Sequence, residues 1–314
     1  MAPIQAQDRR AVLAACLSGV SLLLSTRASR AGQGRSSAQA GRRPPGFWTG
    51  IVDRGYAVPD GLAPIDLLIE LGGYFGDPDP VLRDRCGYGI AARWVVRETR
   101  LSTADLQRLA SAWLPGLGAD ADPFGGDPVL RRSFSALGLS LVVAADLGQR
   151  ALEAATVDAL VGAGAEQLRT NTDRRGFEPG LGWVHVTAHT ADLLKFLGRH
   201  PRLTPAHQRH LLEALAAAVT AAPTVFAWGE DERLSRAAAS VLRRDDADAR
   251  AVEGFLDALQ QAGSRVDWEQ PLANGGVAPA LNAKAVLKDL FLVLSVAGKD
   301  ERRQQVLRRL EAIP

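Results

Sequence analysis

The residue types best able to do chemistry in this sequence fall in one short segment. His185, His189 and Asp192 recur at intervals of four and three residues. At about 100° per residue, that spacing brings all three within about 60° of arc on one helix, with Phe196 on the same face. Two imidazoles one turn apart can bind a metal ion through their ring nitrogens, and a carboxylate can serve as third ligand or orient an imidazole. The corresponding chemistry is metal-assisted hydrolysis with a divalent ion such as zinc. The same spacing equally serves a hydrogen-bonded polar network that fixes one helix against its neighbour. Val186, Leu193, Leu194 and Leu197 form a separate apolar sector, which sets the polar cluster on the shoulder of a buried stripe. Val186 also stands where a zinc-peptidase motif needs a glutamate after its first histidine, so that specific chemistry is disfavoured.

Two flanking segments add charge. Arg174, Arg175 and Glu178 lie in a Gly-rich loop ahead of Trp183, where they could hold an anion or simply be solvated. Glu230, Asp231, Glu232 and Arg233 follow Trp228-Gly229 and could complete a site with the histidines if the fold brings the two segments together. Acids in a first helical turn are also favoured by the helix dipole without any functional role. His207 and His210, beside Arg202 and Arg209, read as solvent-facing. Gly125-Gly126 and Gly275-Gly276 match neither a phosphate loop nor a dinucleotide fingerprint, so no nucleotide cofactor is implied. Ser133 and Ser135 lack the flanking glycines of a nucleophile elbow. Cys86, beside Gly87 and Tyr88, reads as a small buried hydrophobe rather than a reactive thiol.

The elements that must position these groups are helices. From Phe47 onward apolar residues recur with a helical period, and no alternating strand of useful length is present. Helices are expected over Leu62–Leu71, Val81–Val96, Ala104–Leu114, Val129–Ala145, Leu152–Leu168, Val184–Leu197, Pro205–Val219, Asp231–Leu242, Ala249–Gln260, Ala283–Val296 and Glu301–Leu310. Thr204-Pro205 places a capping hydroxyl before a proline in the first turn, and Ser102 to Asp105 offers a cap and an early acid. Asp79-Pro80-Val81-Leu82-Arg83 recurs as Asp127-Pro128-Val129-Leu130-Arg131. Helix-pair repeats of the HEAT and armadillo type have periods near that 48-residue separation. The fold class expected is therefore all-α, a HEAT/armadillo-like helical repeat array, either an α-solenoid or a closed helical array.

With 314 residues, 46% of them apolar and 23% charged, the chain can bury a substantial core. The net charge of +2 is unevenly spread. Residues 1 to 46 hold seven arginines and one acid, leaving 30 of the 37 basic and 34 of the 35 acidic side chains in the rest. That slightly acidic body argues against nucleic acid as a partner. Arg9-Arg10, the uncharged run Ala11 to Ser25 and Ser29-Arg30-Ala31 have the layout of an export signal over residues 1–31, with a partial likeness to the twin-arginine type. Residues 32–46 have the composition of a disordered linker, and residues 47–314 form a single helical domain. A periplasmic location is expected. Lipidation of Cys16, which would anchor the chain to the membrane, and a misassigned start, which would leave it in the cytoplasm, are the alternatives.

Several segments together resemble a known family. They are Phe47-Trp48, Tyr56 to Pro59, Asp77 to Asp84, Arg132 to Leu137, and above all Arg175-Gly176 through Gly182-Trp183-Val184-His185 and Ala188 to Asp192. Over roughly residues 47–242 the chain is similar to the bacterial domain-of-unknown-function family 2785. The resemblance implies a helical domain of bacterial origin and carries over no activity or catalytic residue. Two functions remain in view. One is a domain that binds a protein or peptide in the cell envelope. The other is a metal-assisted hydrolase using His185, His189 and Asp192 with an acid from Glu178 or the Glu230 segment.

Overall fold

The computed structural model describes residues 42–266 and 276–314. The expected export signal, Cys16 and the linker up to residue 41 lie outside the described residues, as does Gly275. The chain is all-α apart from one pair of two-residue strands among the described residues.

Two helices, α1 (Pro45–Asp53) and α2 (Pro64–Leu71), precede the remaining helices. The continuous helical segment 81–97, here α3, consists of π-type turns over Val81–Tyr88 and Ala92–Arg97 joined by an α turn, Gly89–Ala91. After it come α4 (Thr103–Trp113), α5 (Pro128–Gln149), α6 (Ala154–Thr170), α7 (Val186–Leu197), α8 (Pro205–Thr220), α9 (Glu230–Leu242), α10 (Ala249–Gly263), α11 (Ala278–Val296) and α12 (Asp300–Glu311). Alternate helices pack on one another, α3, α5, α7, α9 and α11 in one row and α4, α6, α8, α10 and α12 in the other.

The capping chemistry explains where many of these helices begin. Ser102 and Thr204 both form capping boxes, with Asp105 and His207 as the reciprocal partners. The repeated pentapeptides behave alike: the Asp79 carboxylate accepts from the Val81 N–H at 2.8 Å and that of Asp127 from the Val129 N–H at 2.7 Å. They open α3 and α5, which pack against each other. Helix α5 is long and apolar enough to cross a bilayer, but 72% of its apolar window is buried inside the protein, where α3 and α7 cover it.

Arg42 and Arg43, the first described residues, already pack against the body. Arg42 lies over the Tyr74 and Phe124 rings, and Arg43 pairs with Glu70. Helix α1 was not among the expected helices. Its Trp48 and Ile51 are nevertheless fully buried.

Two further expectations need correction around α7. The helix starts at Val186, not Val184, because Gly182–Trp183 is spent on strand β2, which pairs antiparallel with β1 (Phe177–Glu178). No shoulder of α7 faces solvent either. All of its residues are buried, since α5 and α9 flank it while α6 and α8 also pack against it.

Candidate functional site

The β1–β2 ladder continues past its strands: the Val184 N–H donates to the Gly176 carbonyl at 2.8 Å and the His185 N–H to that of Arg175 at 3.1 Å. The chain must then swing from strand into helix within one residue. His185 makes that turn as the N-cap of α7, in the left-handed region at φ 49°, ψ 38°, which non-glycine residues rarely occupy. Such a conformation persists only where the surroundings impose it. Here the ladder holds the backbone from one side, and the Trp183 indole stacks on the imidazole at 4.9 Å.

His185, His189 and Asp192 therefore do not share one helix face; His185 precedes the helix. The two imidazoles are still neighbours, with ring centroids 5.6 Å apart. His189 Nδ1 lies 2.8 Å from Ser133 Oγ, and that hydroxyl donates to the Val184 carbonyl. Donation to Val184 leaves the hydroxyl an acceptor, so His189 Nδ1 carries the proton. The ring also meets Phe134 edge-on at 5.1 Å. Asp192 is held by two cations, with Lys195 Nζ 2.6 Å from one oxygen and Arg233 on the other. Both Asp192 and Lys195 are buried. Among the described residues no group of three or more His, Cys, Asp or Glu side chains is arranged to hold a metal ion.

The electrostatics follow from burial. Desolvation lowers the His185 pKa to about 4, helped by the positive charge of Arg233 and opposed by Asp192 and by a hydrogen bond to the Trp228 backbone. His189 is pushed well below its ordinary value by burial, then by His185, Arg233 and Arg83. Both rings are neutral at pH 7. Cys86, fully buried, has its thiol pushed up to about 11 by desolvation, consistent with an inert core residue.

The flanking candidates divide between structural ion pairs and a cleft. Arg175 is bound to Asp173 at 2.6 Å and reaches Asp127 at 3.4 Å. Glu178 sits in β1, opposite Gly182. Glu232 pairs with Arg236 one turn along α9, and Arg233 is taken by Asp192. Glu230 is different. It is buried at the start of α9; its Oε2 accepts from the Trp228 N–H at 2.9 Å, and its Oε1 lies 3.9 Å from His185 Nε2.

Glu230 lines a cleft of about 260 Å³ together with Arg174, Thr187 and the segment Thr224 to Trp228. Arg174 reaches Thr187 Oγ1 at 3.3 Å, while its buried Nε has no partner. Burial disfavours its charged form, and Glu230 and Asp173 oppose that shift. Buried Asn282 of α11 holds the opposite wall, accepting from the Phe226 N–H at 2.8 Å and donating to the Thr224 carbonyl at 2.9 Å. Trp228 closes an aromatic corner with Trp183, their ring centroids 6.1 Å apart. Thr187, Thr224 and Phe226 carry no local signal in the sequence. Only the pairing of a loop near residue 174 with one near residue 226 reveals them as neighbours.

The molecule is thus an all-helical protein with a polar, aromatic-edged cleft where two loops meet. The chain belongs to the family described as protein of unknown function (DUF2785), whose model matches residues 123–292. The match covers α7 and the cleft; it extends beyond the Leu242 limit of the resemblance read from the sequence and begins well after its Phe47 start. No curated protein and no solved structure matches the chain.

Proposed function

We propose that this chain is a non-catalytic binding protein built on a HEAT/armadillo-like array, with the Arg174–Glu230 cleft as the seat for a peptide or small polar ligand. The observation that carries this reading is Arg174. Its buried Nε lacks a partner, and no carboxylate pairs with the guanidinium among the described residues. A half-buried guanidinium with a hydroxyl as its only side-chain partner is under-satisfied, and an anionic group entering the cleft would complete it. The two rows of alternately stacked helices support the array reading, since such arrays bind ligands on their loops and concave faces.

The test is a thermal-shift screen of the full chain against short peptides and polar metabolites, repeated with Arg174→Ala and Trp228→Ala. A ligand that raises the Tm of the wild type and of neither variant supports the reading. A zinc-dependent rise in Tm, lost when His185 and His189 are both replaced, would substitute metal-assisted hydrolysis. The leader-like residues 1–31 would place the protein in the cell envelope. N-terminal sequencing of the native protein tests that, and an intact Met1 in the soluble cytoplasm would overturn it.

A further inference from the structure

Helix α11 buries one face and leaves the opposite one bare. Ala283, Val286, Leu287, Leu290 and Leu294 belong to the core. On the other side Leu281 is 38% exposed, Leu292 59% and Val296 92%. At about 100° per residue these three fall with Ala285 and Lys288 within about 80° of arc, so they form one stripe. The steps along it are four, three, four and four residues, the spacing of a seam between two helices. Among the described residues α11 is also the last helix of its row, so no later helix of that row packs on it. A helix in that position stays soluble by presenting a polar outer face, and α11 presents an apolar one.

The stripe is complementary to itself turned end for end. About the midpoint between Lys288 and Asp289, Leu281 and Val296 are equidistant, and so are Ala285 and Leu292. A two-fold axis at that point would bring Leu281 against the partner's Val296 and Leu292 over the small side chain of the partner's Ala285. Lys288 would then stand level with the partner's Asp289. The charges fit as well. Lys288 is exposed, and neither it nor Asp289 makes an ion pair among the described residues. Burial, then the nearby carboxylates of Asp231 and Glu232 on α9, push the Asp289 carboxyl up, against the opposing charge of Arg236. Arg236 is itself taken by Glu232. This acidic group is therefore short of a cation, and the partner's Lys288 would supply one.

We infer that α11 is the interface of a homodimer, packing antiparallel on the α11 of a second copy, with Leu281 on the partner's Val296 and Leu292 on the partner's Ala285. The stripe is about 22 Å long, and one such helix per chain makes a contact at the small end of specific interfaces. The dimer is accordingly weak and concentration-dependent.

The experiment is sedimentation velocity on the full chain over the micromolar range, where a reversible monomer–dimer equilibrium is expected. Leu292→Glu should weaken it by about 100-fold or more, since two leucines leave the interface. The Tm of the dilute protein should not change, because the side chain is exposed in the monomer. Val296→Glu, at a still more exposed position, gives the same comparison should that variant fail to fold. Lys288→Glu should weaken the dimer by about 10-fold by setting acid against acid, and adding Asp289→Lys should restore it. Orientation is read by disulfide capture in a chain carrying Cys16→Ser, which leaves buried Cys86 as its one native thiol. A mixture of Leu281→Cys and Val296→Cys chains should cross-link under mild oxidation. Val296→Cys alone should not, since antiparallel pairing holds its two copies about 22 Å apart. Cross-linking of Val296→Cys with itself as fast as in the mixture would overturn the antiparallel arrangement. A dimer indifferent to both Leu292→Glu and Val296→Glu would join by another face and overturn the inference. A chain monomeric throughout the range would overturn it too, and a fall in Tm with Leu292→Glu would then mean that another segment of the same chain covers the stripe.

Discussion

The Trp228 indole lies against the backbone of Gly176 so closely that a Cβ built on the glycine would overlap its Cγ and Cδ1. Gly176 thereby sets the position of the aromatic corner, from a loop 52 residues earlier in the chain. Gly176→Ala should push Trp228 out of place and abolish any ligand-induced rise in Tm that depends on it. Overpacking of this kind costs about 1–3 kcal/mol. Urea unfolding and Trp fluorescence, compared with Trp228→Phe, measure both effects; an unchanged spectrum and full ligand response would show that the indole is not held there.

Asn282 holds the opposite wall. Its side-chain amide both accepts from Phe226 and donates to Thr224, a pattern that no aliphatic or acidic residue reproduces. Asn282→Leu should cost about 1–3 kcal/mol for the backbone groups left unpaired, and hydrogen exchange should quicken at Phe226. Protection there equal to wild type would mean that another group holds the wall.

Asp192 balances Lys195 and Arg233 at once. Asp192→Asn leaves buried Lys195 without a counter-charge, and breaking a buried pair this way costs about 3–5 kcal/mol. Lys195→Met should be milder, since Arg233 still neutralises the carboxylate. Denaturant unfolding of the two variants checks the order, and a Lys195→Met variant less stable than Asp192→Asn would reverse the assignment.

The histidines predict acid sensitivity of a definite sign. Folding lowers the His185 pKa from about 6.5 to about 4 and that of His189 in the same direction. The unfolded chain therefore takes up protons first as pH falls. Their contribution is intact above pH ~6.5 and is lost progressively down to about pH 4, by on the order of 3 kcal/mol for His185 alone. Glu230, Asp192 and Arg233 face His185, and Arg83 and Arg233 bear on His189. Unfolding free energy measured at pH 7, 5.5 and 4.5 should fall for the wild type, and less steeply for His185→Asn, whose asparagine tolerates the left-handed backbone. A flat profile over that window would mean that the rings titrate normally.

Much of the fold is written locally. The helical period, the capping residues at Ser102, Thr204, Asp79 and Asp127, and the repeated pentapeptide are short-range features, because a helix is closed by bonds four residues apart. They sufficed for the all-helical class and for nearly every helix. The neighbourhood of His185, His189, Trp183 and Glu230 was also signalled, since polar and aromatic types cluster in the segments that meet. What each polar group does was decided only by packing. Asp192 offered a free ligand in the sequence, and Arg233, 41 residues on, occupies it. His189 is bound to Ser133 from a different helix, 56 residues away. His185 left the helix because a two-residue ladder with Arg175 and Gly176 claimed its backbone first. The cleft itself exists only where the loop near Arg174 meets Thr224 to Glu230, fixed by Asn282 from a third segment. Side-chain partners at such separations follow from which helices stack. Periodicity along the chain determines which face of a helix is buried and is silent on which neighbour buries it.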